Sequence, residues 1–454
     1  MLFYILFFIT FFLVCLAVSS FVLIKKDFIL DKLHVIIAAV CMTIWVIYFH
    51  FTFGIFGEFF TGDFGGFYQA GRRVLKDPTT LYNFGESINP YPYLPSFATS
   101  FSISFSLLPF EIGYITFFIL NYILGILSII EYNRILRLLN VKEKKHRFLF
   151  LIIISNGYLV YVQFYFNMFK IIMFIIFLYV VRREIQYRIG ERVKDYKYYM
   201  VNYGLFIYAI GVAPYFLFLF LIYIFHDIKL KKLFQSENVK KYIIAITFFL
   251  IENFLFILYP SLIFDFFKGF FMPVYGRQYM RMLYLKDLYQ PNKQEMSYIL
   301  IIFTSILALI SLILILKKNM KIEEKFSYFC FAYLFFGVFS HQILLGIILF
   351  SFILLLFIPY LNQEAKGIEF VKENKIVLIG LISISLIFFL TNNFIFILFF
   401  PIYFELENDI FSALYLLVLH IIMVSCFFLL YLKKTYFSSS IEESLTKNPF
   451  IKRY

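Results

Sequence analysis

The chain has 454 residues, of which 62% are hydrophobic and only 15% are charged, and its mean hydropathy is +0.85. This balance excludes a soluble globular domain and predicts a polytopic integral membrane protein. The net charge of +13 is explained by Lys and Arg in cytoplasmic loops, and we expect no nucleic acid partner. The four cysteines all lie in apolar segments without metal-ligand spacing. We therefore expect no disulfide framework and no metal site.

Apolar windows separated by basic loops predict a single all-α domain, 1–454, with about 13 transmembrane helices. In chain order the predicted spans cover approximately 2–24, 33–53, 112–131, 148–163, 168–181, 198–211, 214–226, 241–260, 297–316, 326–340, 342–358, 375–395 and 409–432. The arms 198–211 and 214–226 are each short for a membrane core of ~30 Å. They form either a hairpin of two short spans or one kinked span of twice that length.

The distribution of positive charge predicts the orientation. Loops assigned to the cytoplasm hold 32 of the 41 Lys and Arg, which places the N-terminus outside and the tail 433–454 in the cytoplasm. The loops 54–111 and 261–296 are then extracytoplasmic. Segment 96–109 must not cross the membrane, and we expect a re-entrant or interfacial helix there. Because the cytoplasmic loops are short, we expect little chemistry on that side.

The stretch from Thr61 to Pro109 is the most unusual part of the sequence. It begins with glycines and charges, continues into a helix-compatible run, and returns through the proline-rich segment 91–95. Lipid cannot satisfy so much polar and irregular backbone, so the stretch must lie at a membrane surface or in a cavity. We interpret it as a candidate active site and the remaining chain as its membrane scaffold.

Residues 63–75, DFGGFYQAGRRVL, followed by Leu81 and Tyr82, resemble the D-F-x-x-Y-Y-x-A-G-x-x-x-L…L-Y signature of glycosyltransferase family 87, a branch of the GT-C superfamily. The segment 91–109 resembles the proline-rich continuation of that signature, with one extra residue between its prolines. Gln163 and Asn167 resemble a G-Q-x-N hairpin tip with wider spacing. Ser340 and His341 resemble a late extracytoplasmic tip whose histidine lies near the donor phosphate.

The resemblance implies a GT-C-type enzyme that uses a polyprenyl- or dolichyl-phosphate sugar as co-substrate. It would transfer a hexose, most often mannose, to a hydroxyl of a lipid or glycan acceptor on the extracytoplasmic face. The leaving group is already a phosphate anion, so the chemistry needs only a base for the acceptor and cations for the phosphate. Asp63 would be the base, with inversion at the anomeric carbon. Alternatively, Asp63 is the N-cap of a helix that begins near Phe64.

Several further residues are candidates for contacts with the substrates. The candidates for the donor phosphate are His341, Arg72, Arg73, Arg277 and Arg281, and those for the substrate are Tyr68, Gln163, Asn167, Lys170 and Tyr82. Each has a structural alternative. Interfacial arginines reach lipid headgroups, tyrosines and cations in 261–296 form an aromatic belt, and His341, Gln163 and Asn167 stabilise helix ends or tight hairpins.

Two other classes of function compete with the transferase. A transporter or flippase for lipid-linked sugars would also have broken helices and short hairpins. It would require ionisable residues in the middle of several spans, where the sequence offers few, chiefly Glu252 and Lys170. A membrane scaffold without activity leaves the polar stretch 61–109 unexplained. No motif of paired carboxylates is present, and we expect metal-independent action without a cofactor.

Overall fold

The computed structural model describes residues 31–53, 62–82, 93–141, 144–155, 171–212, 216–226, 228, 232–271, 306, 309–316, 321–323, 325, 326 and 329. These residues are overwhelmingly helical, and no strand occurs among them. The fold is therefore all-α over the described part of the chain, as the sequence predicted.

The helices are named in chain order. They are α1 (Asp31–Phe53), α2 (Gly62–Lys76), α3 (residues 95–106, with a π-helical turn at Ala98–Ser102), α4 (Phe110–Leu138), α5 (Lys144–Ser155), α6 (Ile171–Arg188), α7 (Tyr196–Val212), α8 (Phe216–Phe225), α9 (Ser236–Glu252), α10 (Phe254–Leu258) and α11 (Ser261–Phe271). A 3-10 turn at Pro78–Thr80 follows α2.

The chain divides into two compact units. One consists of Ile29–Leu138 and Leu151–Gly276, and all the contacts discussed below belong to it. The described residues of the other unit are 139–141, 144–150 and those between 306 and 329.

Helix α4 is the one described helix that is long and apolar enough to cross a membrane. Its 29 residues span ~43 Å at 1.5 Å per residue. Only 39% of its most apolar window is buried, whereas the core helix of a soluble protein is mostly buried. The exposed face is an aliphatic stripe, formed by Ile112, Ile115, Ile119, Ile123 and Leu127.

The buried face of α4 is mixed in character. Besides aromatic and aliphatic residues such as Tyr114, Phe117 and Ile129, it contains the small or polar residues Gly113, Asn121, Gly125, Ser128 and Glu131. Exposed aliphatic and buried polar residues on one helix are unfavourable in water, where apolar surface is driven inward. The same arrangement is usual for helices that pack against one another in lipid, where small and polar residues lie at the interfaces.

Interhelical contacts establish the directions of the helices. Glu131 of α4 is paired with Arg182 of α6, and earlier on both helices a Cβ atom added to Gly125 would lie 4.0 Å from Cδ1 of Ile171, so α4 and α6 run the same way. Phe177 of α6 contacts Phe206 of α7, and further along α6 Arg183 reaches back to Asn202. Helix α7 therefore runs antiparallel to α6.

The segment 196–226 is a hairpin of two helices. Phe206 of α7 packs on Phe220 of α8, and nearer the open end Asn202 donates a hydrogen bond to the hydroxyl of Tyr223. A single kinked span would separate Asn202 from Tyr223 by ~30 Å. The contacts therefore decide between the two predicted alternatives in favour of two short antiparallel arms.

Three segments have a local structure that the sequence did not indicate. The basic segment 182–197 is not all loop, because α6 continues to Arg188. Arg182 is paired with Glu131 of α4, and Arg183 and Glu184 are bonded to residues of α7. The predicted span 241–260 is interrupted at Asn253, which leaves the helical conformation at φ −107° and ψ 36°. The predicted loop 261–296 begins with an 11-residue helix, α11.

Candidate functional site

The stretch that resembles the glycosyltransferase signature begins with helix α2. The helix starts at Gly62, so Asp63 lies in its first turn and not at a cap before Phe64. The side chain of Asp63 is outside the described part of the structure. Its neighbour Phe64 is fully buried, and its ring contacts those of Phe105, Phe110, Tyr114 and Phe117. This packing holds the backbone at the start of α2 against α3 and the first two turns of α4.

A close approach of backbones joins α2 to α3. A Cβ atom added to Gly71 would come within 2.5 Å of the carbonyl oxygen of Ser102 and would also collide with Oγ of Ser106. The hydroxyl of Ser106 donates a hydrogen bond to the carbonyl oxygen of Tyr68 at 2.6 Å. Ala70 is fully buried. The Ala-Gly pair of the signature therefore creates the contact between the two helices.

Tyr68 and Tyr82 both donate their hydroxyl hydrogen to the main chain. Tyr68 Oη bonds to the carbonyl oxygen of Leu108 at 2.8 Å, and Tyr82 Oη bonds to that of Tyr93 at 2.8 Å. Both residues are buried, with 7% and 5% of their surfaces exposed. Burial raises the pKa of Tyr82 well above its usual value, so its hydroxyl remains a donor. Tyr68 therefore fixes Leu108 against α2, and Tyr82 fixes Tyr93 next to the turn that follows α2. A role of either tyrosine in substrate binding stays a prediction.

Arg72 and Arg73 follow on α2 with different environments. Arg72 is exposed, and its guanidinium carbon lies 5.5 Å from the centre of the Tyr68 ring. Arg73 is half-buried, and its carbonyl oxygen accepts a hydrogen bond from the amide of Asp77. Asp77 in turn caps the 3-10 turn through Thr79. Arg72 is therefore the more accessible of the two predicted phosphate ligands.

Helix α3 is attached to the ends of α7 and α9. The amide of Leu94 donates to the carbonyl oxygen of Gly211 at 3.0 Å. The amide of Ser96 donates to Oδ1 of Asn253 at 3.2 Å, and Asn253 also donates to the carbonyl oxygen of Phe249 at 3.0 Å. Asn253 thus interrupts the helix, and its side chain accepts the hydrogen bond that attaches the start of α3.

Glu252 lies immediately before this junction and was noted in the sequence only as an ionisable residue within a span. Its Oε2 is buried and has no hydrogen-bond partner among the described residues. Burying a carboxylate without a partner is energetically costly, and such a residue is usually retained because it has a function. Glu252 is therefore a further candidate near α3.

Charged side chains are concentrated at the other end of α4, where the sequence predicted little chemistry. Oε2 of Glu131 accepts from Nε of Arg182 at 2.5 Å, and its Oε1 accepts from Nη1 of Arg134 at 2.6 Å. Glu184 accepts from the hydroxyl of Tyr198 and pairs with Lys194 at 3.1 Å. The sequence did contain an indication that these charges lie on a helix, because Arg182, Arg183 and Glu184 directly follow an apolar run without a helix breaker.

This end contains two recesses. One, of about 440 Å³, is lined by Arg134, Arg137, Leu138, Arg182 and Gln186. The other, of about 310 Å³, is lined by Tyr179, Arg183, Arg192, Val193, Asp195, Lys197 and Val201. Both are predominantly cationic, which favours anionic ligands.

Six predicted site residues lie outside the described part of the chain. They are Gln163, Asn167, Lys170, Arg277, Arg281 and His341. The structure brings Tyr68, Arg72 and Arg73 together on α2, with Tyr82 just beyond it. Within the described residues, no group of three or more His, Cys, Asp or Glu could hold a metal ion, and metal independence stays a prediction.

The chain was compared with protein-family models, with curated protein sequences and with solved structures, and none of them matches. The likeness to glycosyltransferase family 87 therefore rests on the residues quoted for it.

Proposed function

We propose that the protein is a GT-C-type glycosyltransferase of about 13 transmembrane helices. It moves a hexose, most often mannose, from a polyprenyl- or dolichyl-phosphate donor to a hydroxyl of a lipid or glycan acceptor. Asp63 is the general base, and the reaction occurs on the extracytoplasmic face. The N-terminus is outside and the C-terminus cytoplasmic.

One observation carries this proposal. The residues that resemble the signature pack as a unit, in which Phe64, Tyr68, Gly71 and Tyr82 hold α2 against α3 and the following chain. A reactive carboxylate needs a backbone held rigidly by buried neighbours. The residues of the signature other than Asp63 supply that support, while Arg72 remains exposed on the same helix.

The membrane assignment is supported by α4 and α9. The exposed aliphatic stripe of α4 has a counterpart on α9, where Ile243, Ile246 and Leu250 are 56%, 58% and 45% exposed. Contiguous apolar surface of this kind needs lipid or a partner to cover it. The α2–α3 unit and the arginine-rich recesses lie at opposite ends of α4. That separation agrees with an active site outside and basic loops inside.

The reaction follows from the residues assigned to it. Asp63 accepts the proton of the acceptor hydroxyl as its oxygen attacks the anomeric carbon, and the carbon–oxygen bond to the donor phosphate breaks on the opposite face. The configuration inverts, and the lipid phosphate leaves as an anion. Arg72, with Arg73, Arg277, Arg281 and His341, stabilises the charge that develops on the phosphate.

The test is an assay of the purified protein in liposomes with polyprenyl-phosphate-[¹⁴C]mannose and a lipid extract as acceptor. The proposal expects radioactive mannose in a product that survives the mild acid hydrolysis that destroys the donor. Failure to consume any polyprenyl- or dolichyl-phosphate sugar, across mannose, glucose and galactose donors, would contradict it.

A second candidate, a transporter or flippase for lipid-linked sugars, is favoured by the buried Oε2 of Glu252. Transporters use such carboxylates to couple ion and substrate movement. The same liposomes distinguish the two functions. A transporter moves intact donor between leaflets without forming product, and Glu252→Gln abolishes that movement.

A further inference from the structure

The recess of about 310 Å³ beside Arg183 contains a buried cation that has no carboxylate partner among the described residues. Arg183 is 4% exposed. Its Nη1 donates to Oδ1 of Asn202 at 2.8 Å, and its guanidinium carbon lies 4.6 Å from the centre of the Tyr198 ring. These neighbours are neutral. No ion pair joins Arg183 to any residue in the described part of the chain.

The nearest acidic residue along the chain, Glu184, is already engaged. Its Oε1 accepts from Tyr198, and its Oε2 is paired with Lys194. Burying an ion without a counter-charge is strongly unfavourable. The structure thus provides Arg183 with a solvent-accessible recess in place of a protein anion.

The guanidinium also has an unused donor. Nε of Arg183 is buried and has no hydrogen-bond acceptor among the described residues. Since Nη1 is committed to Asn202, the side formed by Nε and Nη2 is the edge left for a ligand. This edge binds two oxygens of a phosphate or carboxylate at once.

The wall of the recess is suited to phosphate. Arg192 and Lys197 add two positive charges, and Asp195 subtracts one. Oδ1 of Asp195 is already engaged, because it accepts a hydrogen bond from the amide of Tyr198 at 2.7 Å, at the start of α7. Nε of Arg192 donates a hydrogen bond to Oε1 of Gln186. Together with Arg183 the lining carries a net charge of +2.

The surroundings resemble a membrane surface. Val193 and Tyr196 are 79% and 59% exposed, and Tyr187 and Ile189 are each 41% exposed. Exposed aromatic and aliphatic residues among cations are typical of the interface between hydrocarbon and water. Basic pockets between helices at such an interface bind lipid headgroup phosphates.

We propose that this recess is a phosphate-binding site in which Arg183 is the buried ligand and Lys197 and Arg192 form its rim. The phosphate belongs to the headgroup of an anionic lipid or to a soluble phosphate. The site does not depend on the proposed transferase activity, because it lies at the end of α4 remote from α2. Its ligand stabilises the junction of α6 and α7.

The test measures binding by the full-length protein, purified in neutral detergent, with two probes. Native mass spectrometry counts phosphatidylglycerol molecules retained against a background of phosphatidylcholine, and equilibrium dialysis measures ³²P-labelled inorganic phosphate. Arg183→Gln removes the buried ligand, and Lys197→Gln removes an exposed rim charge without disturbing the interior. Arg188→Gln makes the same change of charge on α6 outside the recess.

We expect at least one probe to bind, with an affinity reduced about 10-fold or more by Arg183→Gln, as for loss of a charge-assisted pair of hydrogen bonds. Lys197→Gln, which keeps the fold intact, weakens binding less, and Arg188→Gln leaves it unchanged. Retention of phosphatidylglycerol alone identifies a lipid site, and retention of inorganic phosphate identifies a soluble ligand. The proposal is overturned if neither probe binds, or if Lys197→Gln and Arg188→Gln have equal effects.

Discussion

The carboxylate of Glu131 on α4 lies 2.5 Å from Nε of Arg182 on α6 and joins the C-terminal ends of two parallel helices. The side chains are 11% and 12% exposed, so water screens the pair only weakly. Arg134 bonds the second oxygen of the same carboxylate. Glu131 therefore holds two guanidinium groups that would otherwise repel each other.

Replacing Glu131 by Gln is expected to destabilise this junction. The variant leaves Arg134 and Arg182 without their shared counter-charge, which costs about 2 kcal/mol of unfolding free energy. Thermal unfolding in detergent should show a lower midpoint. Glu191→Gln is the matched control, because Glu191 is exposed. Equal midpoints for the two variants would contradict the structural role of Glu131.

Gly71→Ala tests the contact between α2 and α3. The added methyl group would collide with Ser106 and with the main chain at Ser102, and overpacking of this kind costs about 1–3 kcal/mol. We expect a lower unfolding midpoint and reduced transfer activity, because α2 must shift. Gln69→Ala changes an exposed position of the same helix and should leave both quantities unchanged. A fully stable, fully active Gly71→Ala protein would exclude the close approach.

Tyr82→Phe removes one hydrogen bond and leaves the buried ring in place. The loss of the bond to the carbonyl oxygen of Tyr93 should reduce stability by about 1 kcal/mol. Tyr196→Phe, at a site 59% exposed, is the control and should have no effect. The KM for donor separates the two roles of Tyr82: a positioning role leaves it unchanged, whereas direct substrate binding raises it.

Labelling of single cysteines tests the proposed orientation. In a variant without Cys15, Cys41, Cys330 and Cys426, one cysteine is introduced at Lys76 or at Ser236, both of which are exposed. A membrane-impermeant maleimide applied to intact cells should modify only the cysteine at 76. After permeabilisation both should react. Modification of the cysteine at 236 in intact cells would show that the orientation is opposite to the proposed one.

Helix positions were predictable where apolar runs are bounded by charge. Residues 33–53 and 198–226 coincide closely with α1 and with the α7–α8 hairpin, because hydrophobic length alone determines them. The contacts between elements were not predictable. Gly71 was identified in the sequence only as part of the Ala-Gly element of the signature, and the structure is needed to identify the carbonyl of Ser102 beside it.

Buried charges were the main failure of the sequence prediction. Arg183 and Glu184 were assigned to a solvated loop, since charged residues are seldom buried. Their partners, Asn202 and Tyr198, come from the next helix, and no pattern within 182–197 specifies that pairing. The role of Asn253 was missed for the same reason. Its side chain accepts a hydrogen bond from the amide of Ser96, which is 157 residues away in the sequence.

The most direct test of the central claim compares the rate of mannose transfer by the wild type with those of Asp63→Asn and Asp77→Asn. Both variants remove one carboxylate from the same region, but Asp77 caps the 3-10 turn after α2. A general base contributes about 10²–10⁴-fold to the rate. The proposal predicts a loss of kcat of at least about 100-fold for Asp63→Asn, with unchanged folding, and near-normal kcat for Asp77→Asn. Equal turnover by the wild type and Asp63→Asn would contradict it.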